Sequence, residues 1–289
     1  MSLNIYLNGE YLPKEQATIS VFDRGFLFGD GVYEVIPVYA GKLFRFDQHI
    51  ERLNNSLAAI LIKPPLLLEE WRGIAEQLTA QLPGRDQSLY LQVTRGSGHD
   101  REHAIPRDIE PNLLAMTRLQ GSPDEKIKSH GVSVVTLDDD RWKHCNIKAI
   151  TLLPNLLAKH RAKQERADEA ILIRDGKAHE GAASNLFIVK DGLLITPPKS
   201  DMLLPGITRD LVLELARHSG TAHCEADIHA DDLEEADEIW ITSSSKEIAP
   251  VISLNGNPVG DGQPGPIWKI FNALFDACKE RLRIEGECR

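Results

Sequence analysis

Two stretches of mixed strand and helix patterns, joined by a polar segment, constrain the fold of this 289-residue chain most strongly. The segment 120–130 is polar and has Gly121, Pro123 and Gly131 in or beside it, which is typical of a linker. The sequence therefore predicts a mixed α/β (α+β) architecture. It comprises a smaller N-terminal domain over 1–119, a linker over 120–130 and a larger C-terminal domain over 131–289. A ligand is expected in the cleft between two such domains.

In the first half, turn signals and periodicity predict most of the elements. The Asn8-Gly9 pair between short apolar runs predicts a β-hairpin over 4–12. A glycine-rich turn over 25–31 leads into an apolar run, and Asp47 is expected to cap a helix. The remaining predictions are strands over 32–39, 88–94 and 112–119 and a helix over 68–82.

In the second half, two Asp-Gly pairs, at 175–176 and 191–192, predict tight turns next to strands. The strands are predicted over 132–137, 169–174, 185–189, 193–196 and 238–242. The helices are predicted over 155–166, 208–218 and 266–283.

Charge and cysteine usage exclude several classes of protein. Lys and Arg total 33 and Asp and Glu total 43, which gives a formal net charge of −10 and disfavours nucleic acid or an anionic membrane as the main partner. The four cysteines show no C-x-x-C spacing, so free thiols are expected. The start of the sequence lacks a signal-peptide pattern, and no apolar run reaches membrane-spanning length. A cytoplasmic location is therefore expected.

One metal motif is present in the sequence. His99-Asp100-Arg101-Glu102-His103 matches the H-x-x-E-H pattern of some zinc peptidases, in which two histidines on a helix bind one metal ion. Glycines before the motif and Pro106 after it disfavour a helix. We therefore predict a polar loop and no metal site, with a zinc hydrolase as a remote alternative.

A second constellation indicates a phosphorylated cofactor. Lys148 precedes a predicted helix, and Glu180-Gly181 follows a predicted strand. Gly206-Ile207-Thr208 opens a helix, and hydroxyl residues occupy 242–245. A helix start with free N–H groups and nearby hydroxyls is an anion site. An amine, a carboxylate and a phosphate cradle together suggest pyridoxal 5'-phosphate (PLP).

Six motifs in order give the chain its resemblance to the fold-type IV PLP enzymes, the class IV aminotransferases. The motifs occupy 28–34, 49–53, 145–148, 180–181, 206–210 and 247–251, and the resemblance covers about residues 4 to 276. The family includes D-amino acid aminotransferases, branched-chain aminotransferases and aminodeoxychorismate lyases. The resemblance implies two domains with PLP in the cleft between them, and a homodimer.

The resemblance also implies roles for individual residues. Lys148 is expected to form the Schiff base with PLP and then to shuttle the α-proton of the substrate. Glu180 is expected to face the pyridine nitrogen, and Arg52 to bind the phosphate. The other expected cofactor-binding residues are Ser184, Ile207, Thr208, Ser243 and Ser244. Two of these residues have a structural alternative, because Arg52 could be a surface helix residue and Thr208 an N-cap.

The substrate carboxylate distinguishes the members of the family. D-Amino acid aminotransferases typically bind it with a tyrosine and an Arg-x-His loop, and Tyr33, Arg101 and His103 stand at the matching positions. An arginine there would form a bidentate ion pair, to which the histidine and tyrosine add hydrogen bonds. The Arg-x-His loop can reach the site of the neighbouring subunit in such enzymes.

The residues after Glu34 disfavour the other two members. Branched-chain enzymes usually read Gly-Ile-Arg there, whereas this chain reads Val35-Ile36-Pro37. Many lyases have a threonine at the position of Val35, and valine cannot assist proton transfer. We therefore predict transamination between a D-amino acid, such as D-alanine or D-glutamate, and a 2-oxo acid, with Val35 in the substrate pocket. The lyase is the first alternative and the branched-chain L-amino acid aminotransferase is the second.

Overall fold

The computed structural model describes residues 3–98, 100–120 and 125–286. The chain divides into two compact units: the first comprises Met1–Gly121, Ile147–Leu152 and Arg281–Arg289, and the second comprises Ser122–Asn146 and Leu153–Glu280. This division differs from the predicted domains, because the segment that carries Lys148 and the end of the chain belong to the first unit.

The first unit is built on a six-stranded antiparallel sheet. Its strands, in the spatial order β2-β1-β6-β5-β3-β4, are β1 (Asn4–Leu7), β2 (Glu10–Pro13), β3 (Gly31–Tyr39), β4 (Lys42–Leu43), β5 (Gln87–Thr94) and β6 (Asn112–Leu119). Its helices are α1 (Arg24–Phe28), α2 (Phe46–Ala59) and α3 (Leu68–Thr79). The apolar faces of α2 and α3 and the inner face of the sheet form one core, which buries Leu53, Trp71 and Leu89 completely.

Three local predictions for this unit need correction. Asp47 does not cap α2, because the N-cap is Arg45 in a left-handed conformation and Asp47 lies in the first turn, where it pairs with Arg72. Helix α3 ends at Thr79, three residues earlier than predicted. The predicted glycine-rich turn contains the short helix α1, which Asp23 caps by accepting a hydrogen bond from Phe26 N at 3.1 Å.

The second unit contains a ten-stranded mixed sheet. Its strands are β7 (Val132–Asp138), β8 (Glu169–Arg174), β9 (Lys177–Gly181), β10 (Asn185–Lys190), β11 (Leu193–Thr196), β12 (His223–Glu225), β13 (Ile228–His229), β14 (Glu238–Ser243), β15 (Glu247–Leu254) and β16 (Asn257–Pro258). They follow the order β12-β11-β10-β14-β15-β7-β8-β9-β13, with β16 beside β15. A further pairing of Asn185 with Glu180 joins β10 to β9 and closes a ring of six strands.

The helices that start in this unit are α4 (Glu125–His130), α5 (Leu153–Gln164), α6 (Ile207–Ser219), α7 (Ala230–Glu234) and α8 (Pro266–Glu285). Helix α4 lies inside the predicted linker 120–130, so that segment is not all irregular. Lys128 on α4 is paired with Asp276 at 2.9 Å and with Glu247 at 3.3 Å, and these contacts hold α4 against α8 and β15.

Two further observations bear on the expectations from composition. Cys145 and Cys224 are free thiols, whereas Cys278 is disulfide-bonded, so the expectation of free thiols is wrong for Cys278. Among the described residues, no helix is long and apolar enough to cross a membrane.

Candidate active site

The Lys148 segment is held against strand β3 by backbone hydrogen bonds. Tyr33 N donates to Lys148 O at 3.0 Å, and Ile150 N donates to Gly31 O at 3.0 Å. Lys148 N also donates to Ser56 Oγ on α2 at 3.2 Å. The Lys148 Nζ atom lies 4.4 Å from the centre of the Tyr33 ring. A rigid backbone therefore places this half-buried amine over one face of the β3 tyrosine.

The residues of strand β3 alternate between a fully buried face and a partly exposed face. Val32, Glu34 and Ile36 are fully buried, whereas Tyr33 and Val35 are partly exposed on the opposite face. The Tyr33 ring stacks on Tyr90 with centroids 5.8 Å apart. The structure thus brings Lys148, Tyr33 and Val35 together, as the predicted roles require.

Arg52 is a buried member of an ion cluster, which corrects the alternative that it is a surface residue. Its Nε and Nη2 atoms donate to the two carboxylate oxygens of Glu34, each at 2.7 Å, and His49 Nδ1 donates to Glu34 Oε2 at 2.7 Å. Burial alone would raise the pKa of Glu34, but Arg52 and His49 together hold it well below its usual range. Burial lowers the pKa of His49, although the Glu34 carboxylate acts in the opposite direction. The cluster fixes the orientation of the Arg52 guanidinium.

Arg101 and His103 lie on an exposed loop and both contact Phe28. The Arg101 guanidinium carbon is 5.1 Å from the centre of the Phe28 ring, and the His103 ring is 5.4 Å away from it. Among the described residues, no hydrogen bond or ring contact joins this loop to Tyr33. The structure therefore does not gather the three predicted carboxylate ligands into one cluster within a single chain.

The same loop bears on the zinc motif. Residues 100–110 contain no helix, as the glycines and Pro106 predict, and His99 lies outside the described residues. Within the described part of the chain, no group of three or more His, Cys, Asp or Glu side chains is arranged to hold a metal ion.

Glu180 is a buried carboxylate with incomplete charge compensation. It is 4% exposed and accepts hydrogen bonds from Arg141 Nη1 at 2.6 Å, Leu204 N at 3.0 Å and Asn185 Nδ2 at 3.2 Å. Arg141 also pairs with Asp139, at 2.9 and 3.0 Å, so its positive charge is shared. Burial raises the pKa of Glu180 to about 7 in spite of these contacts. A cation facing Glu180 would lower that pKa again.

Helix α6 begins without a side-chain cap. Its N-cap is Gly206, and Ile207 and Thr208 are the first two helical residues, so Thr208 is not the N-cap. The first N–H groups of a helix have no acceptor within the helix, and they favour an anion. Residue 206 has to be a glycine, because a Cβ at this position would lie 1.8 Å from Asn185 Oδ1.

Hydroxyl groups with no partner lie in the same unit. Ser184 Oγ and Thr242 Oγ1 are buried and have no hydrogen-bond partner among the described residues. Ser243 Oγ accepts from Lys246 N at 3.1 Å and so closes the turn between β14 and β15, in which Ser244 lies. Sequence reasoning selected Ser184 but not Thr242, because nothing in the sequence shows which hydroxyl lacks an acceptor.

These observations test whether the predicted residues suit PLP. Its protonated pyridine nitrogen would supply the cation that Glu180 lacks. Its phosphate would supply acceptors for the uncapped N–H groups at the start of α6. Lys148 provides an amine held rigidly over an aromatic ring. The residues in both units therefore fit the cofactor that the sequence predicts.

Comparison with known proteins identifies the family. Residues 31–254 match the family described as amino-transferase class IV. The chain is 41% identical over 287 residues to the D-alanine aminotransferase of Listeria monocytogenes, covering 99% of this chain and 98% of that protein. It is 40% identical over 267 residues to the D-alanine aminotransferase of Bacillus licheniformis, covering 92% and 94%. The chain belongs to the class IV aminotransferase family.

Solved structures agree with this assignment. The branched-chain amino acid aminotransferase of Escherichia coli superposes with a TM-score of 0.90 at 25% identity, covering 96% of this chain and 94% of that one. A hypothetical aminotransferase of Mycobacterium tuberculosis in its PLP-bound form gives a TM-score of 0.83 at 25% identity, covering 95% and 98%. The predicted family, the mixed α/β fold and PLP-dependent aminotransferase chemistry are confirmed, and the roles of individual residues stay predictions.

Proposed function

We propose that this chain transfers the amino group of a D-amino acid, such as D-alanine or D-glutamate, to a 2-oxo acid, with PLP as the cofactor. The observation that carries the proposal is the identity of about 40% with D-alanine aminotransferases over nearly the full length of both chains. The branched-chain aminotransferases among the solved structures share the fold at 24–27% identity.

Three residues of β3 support this choice of substrate. Tyr33 is partly exposed beside the Lys148 amine, where its hydroxyl is available to a substrate carboxylate. Pro37 stands where branched-chain enzymes usually have an arginine, and Pro37 is buried. Val35 shares the face of Tyr33 and offers no proton donor for a lyase reaction.

PLP supplies an electron-accepting ring that stabilises negative charge on the α-carbon of the substrate. We assign to Lys148 the covalent link to the cofactor, and the transfer of a proton between the substrate α-carbon and cofactor atom C4′. Glu180 keeps the pyridine nitrogen protonated. Arg52, held by Glu34, and the first N–H groups of α6 bind the phosphate. The hydroxyls of Thr208 and Ser244 complete the phosphate contacts, and Ser184 and Ser243 are assigned to cofactor binding without a named contact.

A homodimer is the second part of the proposal. Ile19, Val21, Phe22 and Phe26 in the first unit are 41–71% exposed, which is unusual for large apolar side chains so close in sequence. We assign these residues to the interface with a second copy, and assign Arg101 and His103 to the neighbouring copy's substrate. Sedimentation should give the mass of a dimer for the wild type and of a monomer for Phe26→Glu. A monomeric wild type would overturn the assignment.

A cytoplasmic location also remains part of the proposal. It is supported by the free thiols Cys145 and Cys224 but not by the disulfide at Cys278. Fractionation of the source cells tests it, and recovery of the protein in an exported fraction would contradict it.

The role of the loop has its own test. Arg101→Ala should raise KM for D-alanine about 30-fold or more, because a hydrogen bond to a charged group contributes about 2 kcal/mol or more. PLP affinity should stay unchanged. Arg107→Ala, an exposed arginine further along the same loop, is the control and should have little effect on KM. An unchanged KM for Arg101→Ala would show that the loop does not bind the substrate carboxylate.

The substrate class is tested by the absorbance spectrum of the PLP-loaded protein. D-Alanine should convert the visible band to that of the pyridoxamine form, and L-leucine should not. Conversion by L-leucine alone would show a branched-chain L-amino acid enzyme. Pyruvate formed from aminodeoxychorismate, with no conversion by either amino acid, would show a lyase.

A further inference from the structure

Arg24, on the short helix α1, donates hydrogen bonds to backbone carbonyls of the loop that carries Arg101 and His103. It is 7% exposed. Its Nη1 atom donates to Glu102 O at 2.7 Å and to Ala104 O at 3.3 Å, and its Nη2 atom donates to His103 O at 3.4 Å. One guanidinium group thus bridges three consecutive carbonyls, beginning directly after Arg101.

Asp30 fixes the other edge of the Arg24 guanidinium. Arg24 Nε donates to Asp30 Oδ2 at 2.9 Å, and Arg95 donates to the same carboxylate at 2.7 and 2.9 Å. Burial alone would raise the pKa of Asp30, but Arg95 and Arg24 hold it below its usual value, so the carboxylate is ionised near neutral pH. Arg95 in turn donates to Ile60 O at 2.6 Å, next to the end of α2. Arg24 therefore joins Asp30 to the loop, whereas Arg95 joins the same carboxylate to the end of α2.

Little else defines the conformation of the loop. Residues 100–110 contain no helix or strand, and a cavity of 440 Å³ lies beside them, lined by Arg24, Phe28, Asp30, Arg95, His103 and Ile105, among others. Phe28 contributes the remaining ring contacts, since Arg24, Arg101 and His103 all approach it within 5.4 Å. An exposed loop over a cavity depends on its few polar contacts for its position.

We propose that Arg24, oriented by Asp30, is a positioning residue that holds Arg101 and His103 in place for the substrate carboxylate. The inference rests on the proposed function, because it assumes that the loop binds the substrate. Arg24 does not need to touch the substrate itself. Arg24 restricts the loop before the substrate binds, so the loop loses less conformational entropy on substrate binding.

Arg24→Met tests this inference, with Arg95→Met as the matched control. Both substitutions remove an arginine that pairs with Asp30, but only Arg24 bonds to the loop. Arg24→Met should raise KM for D-alanine about tenfold, with kcat changed by less than about threefold. Arg95→Met should leave KM within about threefold of the wild type. Arg24→Lys keeps a charge for Asp30 but cannot bridge three carbonyls, so KM should rise in this variant too.

A double-mutant cycle separates this inference from the proposed function. If Arg24 acts through Arg101, then Arg24→Met should add little to the KM of Arg101→Ala. If Arg101→Ala itself leaves KM unchanged, the proposed role of the loop fails. If Arg101→Ala raises KM but Arg24→Met does not, only the positioning role fails.

Tryptic cleavage of the PLP-loaded protein gives a readout independent of activity. Arg101 and Arg107 are trypsin sites within the loop. Cleavage at these sites should be faster in Arg24→Met than in Arg95→Met. Equal rates would contradict the inference.

Discussion

Two buried carboxylates, one in each unit, differ in how their charge is compensated. Glu34 in the first unit has Arg52 and His49 as partners, and its pKa lies well below the usual range. Glu180 in the second unit shares Arg141 with Asp139, and burial raises its pKa to about 7. A carboxylate with its own charged partners is held ionised by the fold, whereas one whose charge is only partly compensated is able to pair with a further cation.

The same contrast extends to the neighbouring groups. Arg24, Asp30 and Arg95 satisfy one another within the first unit. In the second unit the Ser184 and Thr242 hydroxyls have no partner among the described residues, and α6 starts without a side-chain cap. In the first unit, Asn54 Oδ1 and Trp71 Nε1 are also buried with no partner among the described residues, so a missing partner alone does not identify a cofactor-binding group. The comparison therefore rests on the different charge compensation of Glu34 and Glu180.

The largest effect is expected at Lys148, the proposed cofactor-linked residue of the first unit. Lys148→Ala should lower turnover with D-alanine by about 10⁴-fold or more, because one residue supplies both the covalent link and proton transfer. The free energy of unfolding of the apoprotein should change little. Lys143→Ala, an exposed lysine five residues earlier, is the control for assays of turnover and of visible absorbance. Retained multiple turnover by Lys148→Ala would contradict the assignment.

The two carboxylates are compared directly by Glu34→Gln and Glu180→Gln in the apoprotein. Glu34→Gln leaves Arg52 buried without its charged partner, so the free energy of unfolding should fall by about 3–5 kcal/mol. Since the pKa of Glu34 is lowered in the fold, its stabilisation is present above the usual carboxyl pKa and is lost as pH falls.

Glu180→Gln should cost the apoprotein less than about 1 kcal/mol near pH 8, because it removes a charge whose burial is unfavourable. Glu180→Gln should also weaken PLP binding, since the protonated pyridine nitrogen would no longer face a carboxylate. Urea unfolding and PLP titration measure the two effects. Equal losses of stability in Glu34→Gln and Glu180→Gln would contradict the comparison.

The smallest effect is expected for the hydroxyls. Ser184→Ala removes a group with no partner, so the apoprotein should keep its stability within about 0.5 kcal/mol while PLP affinity falls roughly fivefold. Thr196→Val is the matched control, because Thr196 Oγ1 donates to Leu186 O at 2.7 Å. It should cost about 1 kcal/mol of stability with no change in PLP affinity. If Ser184→Ala lowered the stability of the apoprotein and left PLP affinity unchanged, Ser184 would be a structural residue.

Local turn chemistry made much of the fold predictable. The Asn8-Gly9 and Asp191-Gly192 pairs specify tight turns, and both hairpins occur where predicted. No strand was predicted over β15, which contains Pro250, a residue without the N–H that a central strand uses. In the structure Pro250 lies opposite Trp240 of β14, and the ladder with β7 begins only at Val251.

The candidate site was less predictable, because its electrostatics depend on contacts distant in sequence. The motifs selected Lys148, Arg52 and Glu180 as candidates, and the structure buries Arg52 and Glu180, while their roles stay predictions. The sequence could not show that Arg24 reaches carbonyls about 80 residues away. Nor could it show that Glu34 fixes Arg52. Such partners are set by how the strands and helices pack, which no short motif encodes.

The pH dependence of unfolding, with and without PLP, tests the central claim most directly. Because the pKa of Glu180 is raised to about 7 in the fold, its contribution to stability is present below the usual carboxyl pKa. That contribution is lost as pH rises toward 7. Bound PLP should remove this loss of stability, because its protonated pyridine nitrogen would pair with the Glu180 carboxylate. The stabilisation by PLP should therefore grow between about pH 5 and about pH 8 more in the wild type than in Glu180→Gln. Identical pH profiles in the two proteins would contradict the claim that PLP completes the site around Glu180.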